Sequence, residues 1–203
     1  MHKHYTLLAL GDSYTIGEAV ELHYSFPYQT VHQLRKKGHD FTAPEIIAKT
    51  GWTTGDLQHS ITDYLFSARY DFVSLLIGVN NQYQGQDIRI YKDQFEHLLK
   101  KSIELTGGKT DHVFVVSIPD YSVTPFAKEK DSEKISREID EYNNLNKAIC
   151  IQYKVSYIEI TEEGREAGTN AALVAEDALH PSAKEYHRWA KKLAEAVGKL
   201  LKK

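Results

Sequence analysis

With a single cysteine, Cys150, the chain cannot form a disulfide within itself, so its fold needs no oxidising compartment. No apolar run approaches the ~20 residues of a membrane-crossing helix. No signal-peptide apolar stretch follows Met1-His2-Lys3-His4. A cytoplasmic protein without a stable membrane anchor is the expectation. Charge of one sign is also scarce. A formal net charge of −3 over 203 residues gives no electrostatic case for nucleic acid or an anionic membrane. Internal repeats, low-complexity tracts and Pro/Gly/Ser linkers are missing, which leaves one domain over residues 1–203. Metal-ligand spacing is missing too. His2 and His4 are terminal, and the other histidines apart from His180 are scattered without a paired cysteine or carboxylate. Cys150 falls inside a helical pattern and reads as a small buried hydrophobe.

What is present is an alternation of short apolar runs with longer segments of helical period. The runs Tyr5–Leu10, Glu45–Lys49, Phe72–Ile77, His112–Ile118 and Ser156–Ile160 read as strands. Three of them are almost continuously apolar, as expected for strands covered on both faces. Helices are expected over Phe26–Lys37, Thr54–Ser67, Ile88–Leu105, Ser132–Gln152 and Ala183–Leu201. The last opens with Ser182 and Glu185 at the spacing of a capping box. This order predicts an α/β sandwich around a parallel sheet, with its ligand crevice at the carboxyl ends of the strands.

Four motifs fall at those ends or in the loop before the last helix. Gly11-Asp12-Ser13-Tyr14, followed by Gly17, closes the first strand. Gly11 reads as the residue that lets the backbone turn, and Asp12 as a brace accepting backbone hydrogen bonds. Thr50-Gly51-Trp52 follows the second strand, and Gly78-Val79-Asn80-Asn81 the third. Asp177-Ala178-Leu179-His180-Pro181 precedes the final helix. Its three-residue offset lets the Asp177 carboxylate curl onto one imidazole nitrogen and leaves the other for a serine proton. Each motif alone also fits an ordinary turn. Together they supply a serine, a histidine and an aspartate, the groups that make a neutral hydroxyl a nucleophile.

The set resembles the SGNH, or GDSL-type, hydrolase superfamily over nearly the whole chain. Gly11 to Gly17 is similar to its first block, Gly51 to the second, Gly78 to Asn81 to the third and Asp177 to Pro181 to the fifth. The resemblance implies a flavodoxin-like three-layer α/β/α sandwich that hydrolyses esters without metal or organic cofactor. It implies Ser13 as nucleophile, His180 as base and then acid, and Asp177 as the group orienting His180. The oxyanion hole would be the backbone N–H groups of Ser13 and Gly51 with the Asn80 side-chain amide. Gly-x-Ser-x-Gly, the signature of the α/β-hydrolase fold, is absent around Ser13. Two positions depart from the family pattern: Tyr14 stands where leucine is usual, and Asn81 where aspartate is usual.

The expected substrate is a small-molecule acyl ester, with short-chain or acetyl esters ahead of lysophospholipids and thioesters. Transfer of the acyl group to another acceptor, or a non-catalytic binding domain on the same fold, are the rival readings. Trp52, Tyr83 and Tyr121 follow the second, third and fourth strands and are expected to line the pocket. The polar stretch Asn80–Gln86 reads as a flexible loop beside the site. It points to a polar acyl or alcohol portion such as an acylated sugar.

Overall fold

A computed structural model describes residues 4–202. His2 and both chain ends therefore lie outside the described residues. Five parallel strands form one sheet in the order β2-β1-β3-β4-β5. They are β1 (Leu7–Asp12), β2 (Glu45–Lys49), β3 (Phe72–Leu76), β4 (Val113–Val116) and β5 (Ser156–Ile158). Every residue of β1, β3 and β4 is buried, whereas β2 and β5 sit at the edges and are partly open. The continuous apolar runs thus mark the strands covered from both sides.

The longer helices are α2 (Phe26–Lys36), α3 (Thr54–Thr62), α5 (Ile88–Leu105), α6 (Ser132–Tyr153) and α8 (Ala183–Leu201). Short helices α1 (Ser13–Ile16), α4 (Val79–Tyr83) and α7 (Thr161–Gly164) lie between them. α2 packs on α8 over one face of the sheet, and α3, α5 and α6 pack side by side over the other. The result is the three-layer flavodoxin-like sandwich. Strand order reverses at β1, so the β1/β3 carboxyl ends form the switch point where such sheets open a crevice.

Several boundaries differ from the sequence reading. β1 starts two residues later and runs through Gly11 and Asp12, because Tyr5 pairs with Phe41 instead. α3 stops at Thr62, where Tyr64 and Tyr70 turn away to donate hydroxyl hydrogen bonds to the two Glu45 oxygens, at 2.9 and 2.7 Å. β4 and β5 each end early, and just past their ends the Ile160 backbone N–H donates to the Ser117 side-chain Oγ at 2.8 Å. Only half of the box at α8 forms. Ser182 accepts from the Glu185 N–H, while the Glu185 carboxylate accepts from Trp189 Nε1 at 2.9 Å. Cys150 is buried, and burial pushes its thiol up to about 12. Among the described residues, no helix is long and apolar enough to cross a membrane.

Candidate active site

Ser13 is the first residue of α1, directly after the carboxyl end of β1. Asp12 caps that helix: its Oδ1 accepts the Tyr14 N–H at 3.0 Å. The other oxygen, Oδ2, is buried without a partner. Burial in this setting raises the carboxyl to about 8 against the pull of the Tyr14 N–H. Asp12 is therefore a neutral acid at pH 7. Gly17 ends α1 with a left-handed backbone, φ 78°, which carries the N–H groups of Gly17 and Glu18 back to the Ser13 carbonyl. Gly11 serves a different purpose from the one its motif suggests. It lies in β1 rather than in a turn, and the positions where its Cβ would stand are filled by Thr15 and the Leu76 carbonyl.

His180 enters from the loop before α8. Its Nε2 lies 3.0 Å from Ser13 Oγ, and its Nδ1 lies 2.5 Å from Asp177 Oδ2. The other Asp177 oxygen accepts the N–H groups of Leu179 and His180 at 3.0 and 2.9 Å. Ala178 takes a left-handed conformation, φ 64°, to close this turn. Burial opposes the charged carboxylate. The hydrogen bonds from the His180 ring and from the two N–H groups outweigh it, so Asp177 stays below the ordinary aspartate range. An ionised Asp177 can only accept. Nδ1 must then carry the proton, which leaves Nε2 as an acceptor for the Ser13 hydroxyl. Ser13 and His180 are both buried, at 4% and 6% exposure, which keeps the pair away from bulk water.

Gly51 has φ 81°, a left-handed turn that glycine adopts without strain. Beside it, the Thr50 hydroxyl donates to the Glu18 carboxylate, tying the turn after β2 to the one after β1. Asn80 sits in the first turn of α4. One of its amide hydrogens goes to the Trp52 carbonyl at 2.9 Å, which fixes the plane of the amide. Asn81 is fully buried. Its Oδ1 accepts the Thr54 N–H, and its Nδ2 donates to Thr54 Oγ1 at 2.7 Å and Gln86 Oε1 at 2.9 Å. An aspartate could not make those two donations, so the departure at this position exchanges a charge for a bridge between α3 and α4.

Ser13, Gly51, Asn80 and His180 line one cavity with Tyr14, Thr50, Val79, Tyr83, Tyr121, Phe126 and Leu179. Tyr83 and Tyr121 are where the sequence reading expects them, and burial pushes the Tyr121 phenol up to about 12, so it stays protonated. Trp52 is not among the lining residues. Its ring packs against the core, and its carbonyl accepts an Asn80 amide hydrogen. Asn80–Gln86 is not a flexible loop either. Val79–Tyr83 is helical, Asn81 and Gln82 are buried, and the Gln82 amide donates to Glu138 at 2.8 Å. Tyr14, at the position usually leucine, places its ring 4.9 Å from the His180 ring, so the departure builds an aromatic wall beside the imidazole. Phe126 carries no sequence signal. Its N–H donates to the Ala178 carbonyl at 3.0 Å, which brings it to the Asp177–His180 loop.

This arrangement coincides with a family match, in which the model of the GDSL-like Lipase/Acylhydrolase family covers residues 9–188. The chain belongs to that family. The GDSL hydrolase is accordingly a carboxylic ester hydrolase. No curated protein matches its sequence. Solved structures share its fold. Axe2, an acetylxylan esterase from Geobacillus stearothermophilus, is 19% identical with a TM-score of 0.73, covering 98% of this chain and 97% of that one. A lipolytic G-D-S-L family protein from Veillonella parvula is 20% identical with a TM-score of 0.71, covering 94% and 97%. The psychrotrophic esterase EstA from Pseudoalteromonas sp. is 16% identical with a TM-score of 0.68, covering 98% and 99%. At such identities the likeness is one of fold.

Proposed function

We propose that this GDSL hydrolase cleaves short-chain acyl esters through an acyl-enzyme on Ser13. The observation that carries the reading is the unbroken chain of contacts from Ser13 Oγ to His180 Nε2 and from His180 Nδ1 to Asp177. Ser13 Oγ attacks the ester carbonyl as Nε2 takes its proton. Asp177 holds the resulting imidazolium in place. The backbone N–H groups of Ser13 and Gly51, with the Asn80 amide hydrogen not held by Trp52, stabilise the oxyanion. His180 then protonates the leaving alcohol. Water, deprotonated in turn by His180, releases the acid and restores Ser13.

A short acyl group fits the dimensions. The cavity holds about 180 Å³, small beside the usual pockets for drug-sized ligands, and must take both halves of the ester. The fold neighbour described as an acetylxylan esterase is consistent with an acetyl group. A panel of p-nitrophenyl esters of increasing acyl length tests this. Highest kcat/KM with acetate or butyrate is expected. A maximum at a long-chain ester overturns the short-chain reading.

Asn80→Ala is expected to lower kcat by on the order of a hundredfold with little change in KM, the signature of a donor used mainly in the transition state. Steady-state kinetics on p-nitrophenyl acetate separate the two parameters. A change in KM alone removes Asn80 from the oxyanion hole.

A further inference from the structure

One wall of the catalytic cavity is aromatic and ends in positive charge. Tyr83, Tyr121 and Phe126 form a mutually contacting cluster, with ring centroids 6.1 to 6.3 Å apart. Tyr83 and Phe126 are unusually exposed for large aromatic side chains, at 53% and 38%. Beyond them a second, open depression is lined by the same two rings with Pro125, Lys128, Glu129 and Lys130. The Lys130 ammonium stands over both, 5.4 Å from the Tyr83 centroid and 5.0 Å from that of Phe126. Among the described residues, no carboxylate pairs with Lys130 at ion-pair distance. Of the charged residues that line this depression, two are lysines and one is a glutamate.

The wall can be assigned to one half of the ester. The leaving oxygen must come within reach of His180 Nε2 to be protonated, so the alcohol lies on the His180 side. Leu179 lines the cavity there, and Phe126 is bonded through its N–H to Ala178 in the same loop. The alcohol portion therefore extends along the aromatic wall, away from Ser13 and toward Lys130.

Resting on the esterase reading above, we propose that the preferred substrates are esters whose alcohol carries a ring and, distal to the ester oxygen, an anionic group. The ring packs on Phe126 and Tyr83. The anion lies beside the Lys130 ammonium, for which no carboxylate among the described residues stands at ion-pair distance to compete. Acyl esters of ring-bearing acids, whether sugar acids or aromatic acids, share this chemistry.

Two ratios test the proposal, each measured within one enzyme so that a general loss of activity cancels. The first is kcat/KM for 4-acetoxybenzoate over 4-acetoxyphenyltrimethylammonium, two acetates of opposite charge on the same ring. It is expected to fall about fivefold in Lys130→Gln and further in Lys130→Glu, the scale of one partly solvated charge pair. The second is kcat/KM for benzyl acetate over butyl acetate, expected to fall about threefold to tenfold in Phe126→Leu. Falls in both support the assignment, and either ratio staying within about twofold of wild type overturns it. A folded wild-type protein that turns over none of the four esters overturns the esterase reading and this one with it. Good turnover with unmoved ratios overturns this one alone.

Discussion

Ser13→Ala is expected to abolish turnover of p-nitrophenyl acetate while the melting temperature stays within a few degrees of wild type. The substitution removes one hydroxyl whose recorded partner is His180 Nε2. Everything that shapes the turn remains. Asp12 still accepts the Tyr14 N–H, and Gly17 and Glu18 still return their N–H groups to the carbonyl of residue 13. Loss of a nucleophile in a unit of this kind costs about 10⁴- to 10⁶-fold in kcat, with residual catalysis from the oxyanion donors. Kinetics and a thermal melt on the same preparation decide it. Near-wild-type turnover means that the nucleophile lies elsewhere, and a large fall in melting temperature means that the lost activity reports unfolding.

Gly11→Ala is expected to act in the opposite sense, on the fold before the chemistry. An added Cβ would stand 2.1 Å from Thr15 Oγ1 and 2.3 Å from the Leu76 carbonyl oxygen. Neither neighbour can give way. Thr15 is fully buried inside α1, and Leu76 is paired with Gly11 across the β1–β3 ladder at the centre of the sheet. A clash with backbone at such a position costs about 4 kcal/mol or more, comparable to much of the stability of an ordinary domain. Gly51→Ala provides the contrast. Nothing lies within 4 Å of the added methyl, so the cost is the left-handed backbone alone, roughly 1 to 2 kcal/mol. Denaturant titration of the two variants separates these cases. Equal stability would mean that the close approach at Gly11 relaxes cheaply.

The central strands were legible because burial on both faces leaves β1, β3 and β4 almost continuously apolar, with Ser74 inside β3 and Asp12 at the end of β1 as the polar exceptions. α5 and α8 keep the bounds that sequence places, and the structure shows why they start there: Asp87 accepts the Arg89 N–H at one and Ser182 the Glu185 N–H at the other. The juxtaposition of Ser13, Asp177 and His180 was legible from order and spacing. The surroundings were not. Polarity made Asn80–Gln86 look like loop, yet Asn81 bonds Thr54, 27 positions away, and Gln82 bonds Glu138, 56 positions away. A buried polar side chain and a solvated one are written with the same letter until the partner is known. Trp52 and Phe126 exchange roles for a related reason. Which of two loop aromatics faces the cavity is a matter of tertiary contacts: the Trp52 ring packs against the core, and one backbone hydrogen bond ties Phe126 to Ala178.

The raised carboxyl of Asp12 couples folding to proton uptake at that one group. Between about pH 4 and about pH 8 the folded chain holds a proton on Asp12 that the unfolded chain releases. With one more proton bound in the native state, unfolding free energy falls as pH rises, at a limiting slope of roughly 1.4 kcal/mol per pH unit from this group. Glu185, also raised by burial, has the same sign. Asp177, held below its ordinary value, contributes stability that is lost only on strong acidification. The residue next to the nucleophile thus ties the security of the turn that carries Ser13 to pH, and that turn loosens as pH rises toward about 8.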